Sequence, residues 1–153
     1  MTGSTIKRGK MQPLPASAAT FIEHHHVLSL TTLDEDGLWS ASCFYAFDAA
    51  NASLIVLSSS STRHGGAMAA GGRISGTISG QPEKIRDICG IQYLASVSQL
   101  FGSERRDALS LYVARHPIAR LKPLTEVWRL ALQTIKFTDN ATLFGAKEHW
   151  SRE

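Results

Sequence analysis

Ser58, Ser59, Ser60 and Ser61 run directly into Thr62, Arg63 and His64, so hydroxyls, a permanent charge and an imidazole fall within one short stretch. That set suits a phosphate. Arg63 offers a planar fork for two phosphate oxygens, and His64 offers a donor whose charged form an anion would favour. The run before it, Leu54 to Leu57, is apolar and reads as a buried strand that the serines end. Ser61 or Thr62 would cap a short helix whose free N–H groups and positive dipole end face the strand tip. The same residues also describe a serine-rich loop followed by an ordinary capped helix, and composition alone leaves both open.

Other reactive side chains give less. His24, His25 and His26 close an apolar-periodic segment, but consecutive residues of a helix point in different directions. They do not converge on one metal, and helix-end histidines satisfy the negative end of the dipole, so no metal site is expected. Cys43 and Cys89 stand far apart and outside any C-x-x-C spacing, which predicts reduced, structural thiols. There is no G-x-S-x-G elbow, H-E-x-x-H helix, Walker loop or G-x-G-x-x-G motif. No catalytic acid or base stands out, so the chemistry would have to arrive with a phosphorylated cofactor that carries its own reactivity.

The elements that position these residues follow from periodicity. Pro13 to His26 carries Leu14, Ala18, Phe21 and Ile22 at helical spacing, with Pro15 tolerable only in the first turn. Val27 to Leu33 and Leu38 to Phe47 flank Asp36-Gly37, a hairpin signal. Along the second strand Trp39, Ala41, Cys43, Tyr45 and Phe47 share one face, predicted to be core, and Ser40, Ser42 and Phe44 share the other. After the helix that follows Thr62, Gly71-Gly72 is a stop signal, and Arg73 to Ser79 and Ile88 to Val97 read as strands. Ser103 to His116 reads as a helix capped by Ser103 and stopped by Pro117, with apolar Leu109, Tyr112 and Val113. Glu126 to Phe137 alternates as a strand and leads through Asn140 to a last strand ending near Trp150. Strands joined by hairpins, with few helices, predict a mainly β fold: a small antiparallel barrel with flanking helices.

The 153 residues suffice for one core and not for two ordinary domains, giving a tail over residues 1–12 and one domain over 13–153. Hydrophobic residues at 43% and charged residues at 19% exclude a disordered chain, and no apolar run approaches bilayer length. The polar, basic start lacks an apolar signal core, which leaves the cytoplasm as the expected location. A net charge of +3 is scattered rather than striped and lacks interleaved aromatics, so no nucleic-acid partner is expected; anionic small ligands account for it as well.

Several spaced motifs resemble a known family. Ala41-Ser-Cys-Phe-Tyr-Ala-Phe-Asp48, Thr62-Arg63-His64, Gly80-Gln81-Pro82, Arg115-His-Pro-Ile-Ala-Arg120 and Ile135-Lys-Phe-Thr-Asp-Asn140 resemble the YhbP-type branch of the pyridoxamine 5′-phosphate oxidase-like, FMN-binding split barrels. The resemblance spans nearly all of the chain after Pro13. It implies a homodimer with FMN between subunits and an oxidoreductase activity of unknown substrate. It implies that Ser40, Ala41, Ser42, Cys43, Phe44 and Tyr45 line the flavin, that Leu57 and Ser58 lie near ribityl and phosphate, and that Thr62, Arg63 and His64 hold the phosphate. Gly90 and Gln92 fall near a polar contact from the partner subunit, and Thr138 and Lys147 fall where true oxidases resemble Trp and Arg facing the flavin. The Arg-x-His pair that grips pyridoxal phosphate in true oxidases is absent, since Leu143-Phe-Gly-Ala146 stands there, so pyridoxamine phosphate is an unsuitable substrate. The other reading is a flavin-free ligand-binding barrel, or one that holds haem through His24 to His26.

Overall fold

The computed structural model describes residues 11–140 and 146–153. A short helix, α1 (Ala16–His24), precedes a hairpin of β1 (Val27–Asp34) and β2 (Gly37–Phe44), and then β3 (Ala46–Asp48) and β4 (Ser53–Leu57). Helix α2 (Arg63–Ala69) leads to β5 (Arg73–Ser79) and β6 (Cys89–Gln99). Helix α3 (Gly102–Arg115) and a 3-10 turn over Pro117–Leu121 lead to β7 (Val127–Asp139) and β8 (Ala146–Ser151). The antiparallel split barrel implied by the alternation and the resemblance is the fold observed.

All pairings are antiparallel, in the order β2-β1-β5-β6-β7-β4-β3, with β8 on the far half of β7. The end strands of this path, β2 and β3, are consecutive in sequence. The chain leaves one end of the sheet at Phe44 and joins the other at Ala46, so the sheet curls on itself about Tyr45. The expected single strand from Leu38 to Phe47 is therefore two strands. Tyr45 is held on three sides: its N–H donates to His26 O (3.0 Å), its hydroxyl donates to Ile22 O (2.6 Å), and its carbonyl accepts from His116 Nε2 (2.7 Å).

Helix α1 is shorter than the spacing suggested because Pro15, at its N-terminal boundary, is extended at ψ 136° and disfavours helix before it. In the first hairpin the turn is Glu35-Asp36, Asp34 pairs with Gly37, and Gly37 takes φ +105°, where a side chain would be strained. Helix α3 starts one residue early, at Gly102. Phe101 flanks it without a side-chain cap, so Ser103 lies inside the helix rather than capping it. Met11 and Gln12 belong to the packed body rather than to the expected tail. Met11 lies against the core, and Gln12 O accepts from Trp150 Nε1 at 3.0 Å.

The core alternates along the strands, with Leu28 and Leu30 from β1, Ile74 and Ile78 from β5, Ile91 and Ala95 from β6, and Leu130 and Leu132 from β7. A smaller cluster of Ala46, Ile55, Leu100, Ala108, Tyr112 and Val127 seats α3 on β3 and β4. Trp39, expected in the core, is 46% exposed on the sheet edge. No helix among the described residues is long and apolar enough to cross a membrane.

The Ile22 carbonyl accepts from the Tyr45 hydroxyl at 2.6 Å and from the His25 N–H at 3.4 Å, so Tyr45→Phe removes the shorter of its two bonds with little change of shape. Urea unfolding should show a loss of about 0.5–1.5 kcal/mol with an unchanged denaturant slope. A wild-type midpoint would mean that the corner is held by packing alone.

Candidate functional site

The corner opens a gap. The β3–β4 ladder runs Asp48↔Ser53, Phe47↔Leu54, Ala46↔Ile55, and two more steps of that register would set Phe44 against Leu57. Phe44 instead pairs with Val27 on β1, so the last residues of β4 lie beyond the end of β3. Ser58, just after β4, is fixed there by its backbone: its N–H donates to Glu126 O at 3.2 Å and its carbonyl accepts from Trp128 Nε1 at 2.8 Å. Its hydroxyl is left for the site.

The serine-rich loop divides into structural and site-facing parts. Thr62, not Ser61, caps α2: its Oγ1 accepts from Gly65 N at 3.0 Å and donates to Ser59 O at 2.7 Å. Ser60 Oγ donates to Glu126 Oε1 at 2.6 Å, and this bond holds the Glu126 carboxyl below its ordinary range. Ser59 and Ser61 bond one another at 2.7 Å. A Cβ on Gly65 would collide with Ser59 O and with Thr62 Oγ1, so only glycine lets the loop fold this closely onto the helix.

His64 turns back toward the gap. Its Nε2 lies 2.7 Å from Ser58 Oγ, 3.5 Å from Thr62 Oγ1 and 4.0 Å from Cys43 Sγ, so the imidazole ties α2 to the end of β4 and to β2. Burial lowers its pKa, and the ring is neutral near pH 7. Arg63 points to the hairpin tip. Its Nε and Nη2 donate to the two Asp34 carboxylate oxygens at 2.8 and 3.1 Å, and its guanidinium lies 4.5 Å over the Trp39 ring. The bond to Arg63 depresses the Asp34 pKa, and the same contact raises that of Arg63. Nη1 stays outside this fork.

The strand beside the gap splits by face. Ser40, Ser42 and Phe44 point out, while Ala41 and Cys43 lie half-buried against the core and the Tyr45 ring is buried in it. As side chains, Ala41, Cys43 and Tyr45 therefore do not line an outer flavin face, because alternation turns them inward. The outer face is a carpet of hydroxyls: Ser40 bonds Thr31 at 2.8 Å, and Ser29, opposite Ser42, bonds Thr77 at 2.7 Å. Phe44 is 54% exposed between His26, stacked at 5.6 Å, and His116, edge-on at 5.5 Å.

The remaining expected site residues lie elsewhere. Thr138 is opposite both Gly90 and Lys147, and Gln92 is opposite Lys136, all on β6, β7 and β8. Strands β1 and β5 separate them from β2, and β4, which leads into α2, pairs with β7 over Val127 to Ala131, at the end remote from Thr138. His24 is exposed, His25 Nδ1 lies 2.7 Å from Phe21 O with its ring on Phe21, and His26 lies on Phe44. The three rings diverge. Among the described residues no group of three or more His, Cys, Asp or Glu is placed to hold a metal. Cys43 and Cys89 are free thiols, and burial pushes both pKa values up. Sequence reasoning missed Asp34, Glu126 and His116. Asp34 read as a turn residue, Glu126 as a strand start and His116 as a helix end, and each acts across a long sequence separation.

No family model matches the chain. It is 43% identical over 145 residues to the UPF0306 protein of Haemophilus ducreyi, covering 93% of this chain and 98% of that one. It is 38% identical over 133 residues to the UPF0306 protein YhbP of Salmonella paratyphi B, covering 87% and 90%. Among solved structures, a heme binding protein from Mycobacterium smegmatis superposes with a TM-score of 0.74 at 17% identity, covering 90% of this chain and 58% of that one. A FAD-binding protein from Mesorhizobium loti superposes with a TM-score of 0.62 at 16% identity, covering 82% and 94%.

The Asp34–Arg63 contact carries a pH signature. Asp34 holds its proton less tightly in the folded chain than in the unfolded one, so the contact stabilises the fold above about pH 4 and this contribution fades as pH falls through the depressed folded value. Asp34→Asn should flatten the acid limb of a urea-midpoint profile between about pH 5 and pH 3. A profile that keeps the wild-type slope would place the contact in the unfolded chain as well.

Proposed function

The chain belongs to the UPF0306 family, and from that premise we propose that it is an FMN-binding split barrel acting as a flavin-dependent oxidoreductase, with its cofactor seated at the gap beside β2. One observation carries the reading: Ser58, Thr62 and His64 meet at the end of β4 and the start of α2, with Arg63 on the same first turn of α2 held by Asp34 and Trp39, next to a hydroxyl-bearing strand. The donor set fits a phosphate monoester. Arg63 Nη1 and the second ring nitrogen of His64 supply donors, Ser58 Oγ holds the other ring nitrogen, and β2, paired on one side by β1, offers its open edge and the outward Ser40, Ser42 and Phe44 to a planar ring. The backbone groups that face this edge are those of Ser40, Ser42 and Phe44, because Ala41 and Cys43 pair with Leu30 and Leu28 of β1 and Tyr45 is bonded to His26 and His116.

When bound, FMN supplies hydride chemistry at its flavin N5. The protein's part is to bind and orient. Arg63 is aimed by the Asp34 carboxylate and the Trp39 face, and Ser58 is aimed by Trp128 and Glu126. His64, neutral in the free chain, gains its proton when a dianion arrives, so binding is coupled to proton uptake. Gln92, Thr138 and Lys147 reach the cofactor from a second subunit, which makes the working unit a homodimer. A haem reading is favoured by one feature, the His26 ring lying against exposed Phe44.

The absorption spectrum of the purified protein separates the two: twin visible bands mean flavin, and a Soret band means haem and would displace the flavin reading. Arg63→Ala should weaken FMN binding about tenfold or more. Wild-type FMN affinity should rise as pH falls from about 8 to 6.5, before the phosphate itself takes up a proton near pH 6, and His64→Gln should remove most of that slope. Mixing Arg63→Ala chains with Lys147→Ala chains should restore about one intact site per heterodimer. Full FMN stoichiometry on a stable monomer would overturn the shared-site arrangement.

A further inference from the structure

The gap at Tyr45 continues into a cavity of about 540 Å³ between the ends of β2 and β4 on one side and α3 with its following 3-10 turn on the other. That volume falls in the range of small-molecule sites, roughly 300–1,000 Å³. We propose that this cavity binds a small planar aromatic carboxylate, or an anion of the same shape, and that this is the class of molecule presented to the flavin; the second clause rests on the FMN reading, whereas the binding site itself does not.

The walls argue for an aromatic body. Phe44 and Tyr112 bring rings from opposite sides, and Leu57, Ile118 and Leu121 complete an apolar lining. Ile118 is 75% exposed and Leu121 is 77% exposed, values that a collapsing surface would normally reduce. They stay out because their turn is fixed. Ala119 N donates to His116 O, Lys122 N to Ala119 O and Thr125 N to Lys122 O at 3.0–3.3 Å, and Arg105 Nη2 donates to the carbonyls of Pro123 and Thr125 at 2.6 and 3.1 Å. The apolar rim is thus held open, over a cavity whose other side is the strand edge assigned to the flavin.

The polar groups argue for a negative charge. His116 Nε2 is committed to the Tyr45 carbonyl, and Ser58 Oγ to His64. Lys122 lines the same cavity and, among the described residues, forms no ion pair. An ammonium at the rim of an apolar slot selects a ligand whose flat body enters and whose carboxylate stays at the mouth.

The test is calorimetric titration of the full-length protein with 1-naphthoate and with its neutral counterpart 1-naphthamide. Naphthoate should bind saturably and about fivefold more tightly than the amide, a preference discounted for the exposure of Lys122. Lys122→Glu should abolish the preference, and Leu121→Ser should weaken both ligands about threefold; both residues are exposed, so the fold tolerates the changes. Absence of saturable naphthoate binding, equal binding of acid and amide, or an unchanged preference in Lys122→Glu would each overturn the proposal. Loss of the oligomer in Leu121→Ser, read by light scattering, would also overturn it, because the rim would then be a subunit contact. Titrating the same samples with FMN keeps the two readings apart. Selective naphthoate binding without FMN binding overturns the flavin reading alone. FMN binding of wild-type strength in Lys122→Glu is expected, because Lys122 lies outside the phosphate cluster.

Discussion

Tyr45 is the constraint on which the site depends. Its amide, hydroxyl and carbonyl bond to three separate segments, the α1–β1 junction at His26, the end of α1 at Ile22, and the end of α3 at His116. A residue buried to 1% exposure with all of its polar groups satisfied is costly to move, because any shift leaves several partners unpaired at once. This is why the ribbon turns at that point, and why Phe44 leaves the neighbourhood of Leu57 instead of pairing with it. The gap, the exposed Phe44 ring and the cavity beneath Ile118 all follow from this corner.

The cluster beside the gap shows how a chain holds an arginine and a histidine close together without a standing excess of buried charge. An unpaired cation loses hydration when it is partly buried, so Arg63 carries its counter-charge on Asp34 and rests on the Trp39 face. His64 avoids the cost differently, by staying neutral and bonding Ser58. Both groups keep further capacity, Nη1 on the arginine and a second ring nitrogen on the histidine. A phosphate would therefore meet donors already positioned, and the charge change would fall on the imidazole proton rather than on a rearranged backbone.

How much of this was legible in sequence depends on range. Strands β1, β5 and β7 followed from alternation because one face of each meets a core, and the cap of α2 was narrowed to Ser61 or Thr62, of which the structure uses Thr62. The break at Tyr45 had no local marker. Phe44, Tyr45 and Ala46 contain no glycine or proline, and the burial pattern merely continues with a shifted phase. Arg152 was equally hidden. Its side chain donates to Leu132 O at 2.7 Å and to Asn51 O and Ala52 O at 3.1 and 2.9 Å, and its backbone N–H donates to Gln133 O at 2.9 Å, where β7 carries an extra residue relative to β6. One arginine near the end of the sequence thus secures the point at which β7 exchanges β4 for β8, and no spacing rule announces it. Gly65 drew no reading of its own in sequence, whereas its missing Cβ is what admits Ser59.

The outer face of β2, β1 and β5 gives a last physical reason for treating the site as one half of something larger. Ser40 with Thr31, and Ser29 with Thr77, already bond in pairs across the strands, and Ser75 and Ser79 continue the small hydroxyl surface along β5. Hydroxyls that satisfy one another lose less on leaving water than isolated ones, so such a surface can be covered at modest cost. The side chains of this hydroxyl surface are small apart from Arg73 at the start of β5, which suits either a planar ring or a second copy of the same sheet. Gln92, Thr138 and Lys147 lie on neighbouring strands of that sheet, held by ladders that no side-chain motion can shorten. In the proposed reading those residues would serve the cluster at Arg63 and His64 from a second chain, and the paired hydroxyls make this face one that a second chain could cover without leaving polar groups unbonded.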